Sequence, residues 1–398
     1  MVAGSPSTGR RASEITHSCP TPTGDPMDSP LDRLFREFDR GAMSRRDLFR
    51  ALGVAAVAVP AMSWAQGGDT AAVRGRRNRQ PGDTTHVPAP FEPTGWKTVW
   101  LDHISYQCQD YKKAAAFYTA VMGWKLRSDD GSKAVMDIGD VGGVIMTNGF
   151  VPPPPAPARS GGDSAGRGGG GRGGGAPRPP RLAGITNFAW GIDPWNTDRV
   201  EAELKKRGLN PAANHSGDFK SFHIKDPDGF DIQVTNGTKS NRRKGPANAK
   251  LADPLPFEPT GWKTVWLDHI SYGCSDYRRT VAFYEALLGW TSGRFTGNQA
   301  TVDIGDVGGA IIRNRPGGMT SIDHISFGIE GFDPDKVEAE LKKRGLGTPS
   351  RDDPNHLQTD TGGGGDIHTS RFKSYHTPDV FGWDLQISNI TKSNRHDT

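Results

Sequence analysis

The chain has 398 residues, of which 34% are hydrophobic, with 52 Gly and 30 Pro. Its length allows two or three domains, and so few apolar side chains exclude a packed core over every position. The formal charge is +4, but residues 1–90 carry 12 Arg against nine acidic residues and residues 150–181 five Arg against one Asp, which leaves −3 for the remainder. A mildly acidic body excludes a nucleic-acid-binding surface, and three cysteines without a C-x-x-C spacing exclude a disulfide framework and a structural zinc site.

Ser44-Arg45-Arg46-Asp47-Leu48-Phe49 precedes an apolar run from Ala51 to Met62, followed by Ser63-Trp64-Ala65 with small residues at −3 and −1 of a cut after Ala65. This resembles a twin-arginine signal peptide, S-R-R-x-F-L, with Leu and Phe exchanged. The apolar run spans roughly 18 Å of helix against a hydrocarbon core of about 30 Å. Cleavage is therefore favoured over a membrane anchor, the alternative being an uncut anchor. The resemblance implies export of an already folded protein to a periplasmic or extracellular location, with no stable membrane insertion once the signal is gone. Met27 and Met43 are alternative starts. Residues 66–90 read as a disordered spacer, so that 1–90 forms a signal-and-spacer region.

The body is a tandem duplication. FEPTGWKTVWLDHISY at 91–106 recurs letter for letter at 257–272, and IGDVGG at 138–143 recurs at 304–309, both at an offset of 166. VEAELKKRGL at 200–209 recurs at 337–346, an offset of 137, and TKSNR at 238–242 recurs at 391–395. The domains are thus 91–240 and 257–395, joined by a linker at 241–256. The smaller second offset reflects extra residues in the first copy, within 150–184: Pro152–Pro155 and a Gly-rich run from Gly161 to Gly175. That stretch has nothing to bury and reads as a flexible surface loop. No Lys-Ser or Lys-Thr follows it and no helix opens after it, so it is not a P-loop.

Each copy has two halves of the same kind. Val99, Leu101, His103 and Ser105 alternate with Trp100, Asp102, Ile104 and Tyr106, a two-faced strand that puts Asp102 opposite His103, and by repetition Asp268 opposite His269. Asp110 stands at an N-cap position, Tyr111 to Met122 carry apolar residues at helical spacing, and Gly123 stops the helix. KAVMDIGD and GGVIMTN then read as a hairpin. The pattern predicts β-α-β-β-β, repeated as strand 185–191, helix 197–207 and hairpin 219–235 about the turn Asp226-Pro227-Asp228-Gly229. The second copy predicts elements at 265–273, 276–288, 299–313, 321–328, 335–344 and 370–388.

LDHISY at 101–106 and 267–272, FYTAVMGW at 117–124, FYEALLGW at 283–290, DHISFG at 323–328 and DPDGFDIQV at 226–234 resemble the vicinal oxygen chelate superfamily. That group includes glyoxalase I, extradiol dioxygenases and bleomycin- and fosfomycin-resistance proteins. The resemblance implies an α+β fold of four βαβββ modules, paired into two glyoxalase-like, cup-shaped domains. In that family a divalent metal, Fe, Mn, Ni, Co or Zn, sits in the cup on ligands from the first and last strands of each module, usually His and Glu. Residue by residue, the resemblance puts His269 and His324 in the second domain at first-strand positions, with Gln386 where Glu is usual. The first domain offers a weaker set: His103, Asn187 in place of the second copy's His324, and Gln233, with His223 beside it. An amide brings no charge to a divalent ion, so affinity falls relative to Glu, and it cannot serve as a base.

His223 and His376 each precede the last-strand Gln by ten residues across a hairpin. They are candidates for a catalytic base or an extra ligand, with a solvated hairpin position as the plain alternative. Hydrogen-bonded core histidines are the plain alternative for His269 and His324. The first cup reads as degenerate and structural. Cys108 and Cys274 are equivalent by the 166 offset and read as inert core residues. Two functions follow as expectations. One is an exported metal-dependent enzyme of lyase, isomerase or ring-cleaving dioxygenase type, acting on a small oxygen-bearing substrate in the second domain with His376 in the catalytic role. The other is a metal-free small-molecule binder of the bleomycin-resistance type.

Overall fold

The computed structural model describes residues 86–152, 181–244, 249–315, 320–350 and 352–396, all within one compact unit from Arg79 to Thr398. The signal motif and most of the Pro- and Gly-rich loop lie outside the described residues.

The first copy consists of β1 (Lys97–Cys108), α1 (Tyr111–Met122), β2 (Lys125–Asp129), β3 (Lys133–Ile138) and β4 (Gly142–Asn148), then β5 (Ala183–Asp193), α2 (Thr197–Lys206), β6 (Ala212–Ala213), β7 (Ser221–Lys225) and β8 (Asp231–Thr235). A short helix, α3 (Lys239–Lys244), occupies the boundary between the expected domain and linker. The second copy repeats the plan with β9 (Thr264–Cys274), α4 (Tyr277–Leu288), β10 (Thr291–Phe295), β11 (Gln299–Asp303), β12 (Gly308–Asn314), β13 (Ser321–Ile329), α5 (Pro334–Lys343), β14 (Thr359–Asp360), β15 (Ser374–Pro378) and β16 (Asp384–Ser388).

Each copy forms one eight-stranded mixed sheet, in the orders β2-β3-β4-β1-β5-β8-β7-β6 and β10-β11-β12-β9-β13-β16-β15-β14. The two central strands of each sheet, β1 with β5 and β9 with β13, pair antiparallel. Each of these strands pairs parallel with the last strand of its own module. The halves of a sheet are therefore mirrored in strand order about that central pair, and the expected α+β architecture of paired βαβββ modules is what the chain adopts.

Local chemistry explains the elements. Asp110 caps α1 by accepting from the Lys112 and Lys113 amides, and Asp276 caps α4 in the same way. Phe117, Val121 and Met122 of α1 are buried against the sheet, each contributing roughly 1.5–3 kcal/mol of apolar burial. Gly123 and Gly289 end these helices with φ of 67°. There a Cβ would also strike the Trp262 and Trp96 carbonyl oxygens of the opposite copy, at 2.4 and 2.3 Å. Only glycine satisfies both demands.

The repeated FEPTGW segment is what brings the other copy so close. The Thr94 amide and hydroxyl donate to the Ala286 and Leu287 carbonyls, and Thr260 does the same to Ala120 and Val121. The Trp124 and Trp290 indoles donate to Thr264 and Thr98. Deeper in the contact, the Asp379 carboxylate accepts from the Tyr106 and Tyr118 hydroxyls, at 2.5 and 3.0 Å, and Asp226 accepts from Tyr272 and Tyr284. Burial raises both carboxyls above their ordinary value against the opposing pull of these tyrosines. The turn aspartates of the last hairpins thus tie each copy to the first module of the other.

Candidate metal centre

The side chains that line each cup are set by strand alternation, with one departure. In β9, Leu267 pairs with Phe327 and His269 with Ser326, leaving Asp268 as an extra residue; β1 has the same irregularity at Asp102. This bulge corrects the sequence-based expectation that Asp268 and Asp102 lie opposite the adjacent histidines. Asp268 Oδ2 lies 3.3 Å from His269 Nδ1 and accepts from Ser326 Oγ at 2.7 Å. Asp102 Oδ1 lies 2.7 Å from His103 Nδ1. A carboxylate on Nδ1 fixes the tautomer and turns the Nε2 lone pair outward, the arrangement a metal-binding imidazole needs.

In the second cup the two predicted histidines meet. His269 Nε2 and His324 Nε2 are 3.1 Å apart, with the rings steeply inclined at 77°. Two nitrogens each ~2.1 Å from one ion and 3.1 Å from one another subtend about 95°, the angle of neighbouring ligands on one metal. Burial, then His269, His376 and Arg313, holds the His324 pKa far below the ordinary imidazole value, so this ring is neutral and able to ligate. Gln386 is wholly buried. Its amide nitrogen donates to Ser374 Oγ at 2.7 Å, while its Oε1 has no hydrogen-bond partner among the described residues. A buried carbonyl oxygen without a donor is costly and has the chemistry of a third ligand. His269 and Gln386 both stand level with Ser326 of β13. The residues present therefore fit a divalent ion.

His376 faces Gln386 directly in the β15–β16 register, and His223 faces Gln233 in β7–β8. His376 Nδ1 lies 3.0 Å from Asp384 and its Nε2 3.7 Å from Asp360, with its ring packed edge-on to His324. Burial alone would lower its pKa; the two carboxylates outweigh burial and raise it to about 9. The metal-free molecule therefore holds His376 as an imidazolium at neutral pH, an acid rather than a base. His324, His376 and Asp384 also form a group whose ligand atoms lie within 4.8 Å of one another. Sequence reasoning did not select Asp384 or Asp360. The signal for Asp384 was its position two residues before Gln386, on the same strand face; Asp360 comes from a two-residue strand no pattern revealed.

The first cup is arranged otherwise. Asn187 accepts from Ser105 Oγ at 3.3 Å and donates to the Asp231 carbonyl at 3.4 Å. Gln233 donates to Ser221 Oγ at 2.6 Å. His223 is held between Asp231 and Asn214, at 2.9 and 3.1 Å. His103 keeps its Asp102 partner, and no second imidazole accompanies it on the central strands. Among the described residues, no group of three His, Cys, Asp or Glu able to share an ion occurs here. Cys108 and Cys274 are fully buried, and burial pushes both thiols up to about 12, so they are unreactive packing residues.

Fold and site together define an α+β protein of paired βαβββ modules with two unequal cups. Residues 100–234 match the Glyoxalase/Bleomycin resistance protein/Dioxygenase superfamily. Among solved structures, the chain is similar to the Mn(II)-bound glyoxalase from Novosphingobium aromaticivorans, with 15% identity and a TM-score of 0.49 over 74% of this chain and 82% of that one. It is also similar to homoprotocatechuate 2,3-dioxygenase from Brevibacterium fuscum, at 16% identity and a TM-score of 0.49 over 76% and 73%. The Arthrobacter globiformis enzyme of the same name gives 16% and 0.48 over 78% and 83%. No curated protein matches. Among the described residues, no helix is long and apolar enough to cross a membrane.

Proposed function

We propose that the second copy is a metal-dependent catalytic cup acting on a small substrate that presents two neighbouring oxygens, and that the first copy is a structural partner. The observation that carries this reading is the pair of imidazole nitrogens, 3.1 Å apart and on separate modules. His269 and His324 would hold a divalent ion, Fe, Mn, Ni, Co or Zn, with Gln386 Oε1 as third ligand. When bound, the ion supplies Lewis-acid or oxygen-activating chemistry. Asp268 orients His269. His376, clamped by Asp360 and Asp384, is the side chain that can hold a proton beside the substrate and release it. The half-buried Phe372 ring lies tilted against His269, 6.3 Å between centroids.

Lyase, isomerase and ring-cleaving dioxygenase reactions all suit this set. Export by the twin-arginine route belongs to the same proposal, and sequencing the N-terminus of the mature protein tests it. The metal reading is tested by elemental analysis of natively exported protein. About one equivalent per chain, lost in a His269→Ala, His324→Ala double variant, is expected. No bound metal after reconstitution with all five ions overturns it and points to a small-molecule binding protein, in which the two imidazoles simply hydrogen-bond to each other.

A further inference from the structure

The second cup carries a cationic side chain that the metal centre does not use. On β12, Ala310 and Ile312 are buried in the core, so alternation turns Ile311 and Arg313 to the cup face. Ile311 lies level with Ser271 of β9 and Arg313 with Gly273, while Ser271 in turn lies level with His324 of β13. One pair of residues spans ~7 Å of strand, within the reach of an arginine side chain, and the Arg313 charge acts on both His324 and Asp360. Arg313 Nε is buried and has no hydrogen-bond partner among the described residues; neither has Ser271 Oγ, whose residue is wholly buried.

The neighbouring cations are already engaged. Arg315 pairs with the Asp323 carboxylate, and Arg181 donates to the Asp323 carbonyl at 2.9 Å and lies over the Trp383 ring. Asp360 is drawn to His376. The first copy has Thr147 and Gly149 where the second has Arg313 and Arg315, and its Ser105 hydroxyl is bonded to Asn187. Two donors left unpaired on one face, one of them a guanidinium, are what an oxyanion satisfies with charge-assisted hydrogen bonds.

We propose that Arg313 and Ser271 form an anion-binding subsite of the second cup, and that the substrate carries a carboxylate beside its metal-binding oxygens. The proposal deepens the reading of this cup as the active one, yet its test needs no metal. Protein labelled with 15N-arginine and stripped of metal is titrated with benzoate, and with benzyl alcohol as the uncharged control. The Arg313 Nε–H resonance is identified by its absence from Arg313→Gln and Arg313→Lys. Benzoate is expected to shift it saturably with a midpoint of a few millimolar, about 4 kcal/mol of affinity or less, whereas benzyl alcohol leaves it in place. Benzoate binding, followed by calorimetry, should weaken about tenfold or more in Arg313→Gln and less in Arg313→Lys, which keeps the charge but not the fork. No saturable shift up to about 100 mM, or equal benzoate affinity in a folded Arg313→Gln or Arg313→Lys, overturns the subsite. Elemental analysis of the metal-loaded variants separates the two readings. Lost benzoate binding with retained metal assigns Arg313 to the anion, whereas benzoate binding in a chain that takes up no metal supports the subsite and defeats the metal centre alone.

Discussion

The two cups share long identical segments, yet one is closed on itself and the other is left open. In the first, Asn187 joins Ser105 to the β8 backbone, and His223 bridges Asp231 and Asn214. In the second, histidine stands at the Asn187 position, and three buried polar atoms, Ser271 Oγ, Arg313 Nε and Gln386 Oε1, are left without partners among the described residues. Unpaired buried polar groups destabilise a fold by about 1–3 kcal/mol each. The first copy pairs the counterpart of Ser271, Ser105, with Asn187 and has Thr147 in place of Arg313, whereas the second cup leaves both groups without a partner among the described residues. The difference rests on a few positions, at which one copy bonds its own side chains together and the other leaves polar atoms unpaired.

Exchanging the residues at these equivalent positions tests that contrast most directly. His324→Asn makes the second cup resemble the first and should abolish stoichiometric metal binding, a loss of at least about a hundredfold in affinity, read by equilibrium dialysis; His103→Ala should leave metal content unchanged. The reverse exchange, Asn187→His, places a second imidazole near His103. It is expected to create a weaker site and raise the metal content toward two equivalents by elemental analysis. A content still at one would mean that the Ser105 and Asp231 contacts, rather than the missing ring, close the first cup. Gln386→Glu adds a charge to the ligand set and should tighten binding about tenfold; unchanged affinity in competition with a chelator would remove Gln386 from the ligand set.

The smallest effect is on stability. The His376 pKa in the folded, metal-free protein is raised to about 9. Its ion pairs therefore contribute fully below the ordinary imidazole pKa of about 6.5, and that contribution is lost as pH rises through about 9. Thermal melts of metal-free protein should fall by a few degrees between these limits. Asp384→Asn should move that fall to lower pH, and an identical profile in the variant would count against the pairing.

Much of this was legible in the chain. The duplicated FEPTGWKTVWLDHISY segment, the Asp110 and Gly123 helix signals and the DPDG turn located the modules, because caps and turns are local chemistry. His269, His324 and Gln386 were reached through the resemblance of LDHISY, DHISFG and the last strand to known cups. Asp268 was misplaced because alternation holds only along a regular strand, and an extra residue in the pairing reveals itself only against the partner strand. Asp360, Asp384 and Arg313 were passed over because each lies on a strand whose importance depends on what faces it across the cup.

The order of letters by itself determined the modules, their duplication and the residues that can bear chemistry, since helix caps, turns and periodicity act over a few neighbouring positions. Only the tertiary structure decided that β1 pairs with β5 and β9 with β13, that Asp226 and Asp379 tie each copy to the other, and that two imidazoles 55 positions apart come within 3.1 Å. Such contacts depend on burial and pairing between distant strands, which no short window of sequence contains.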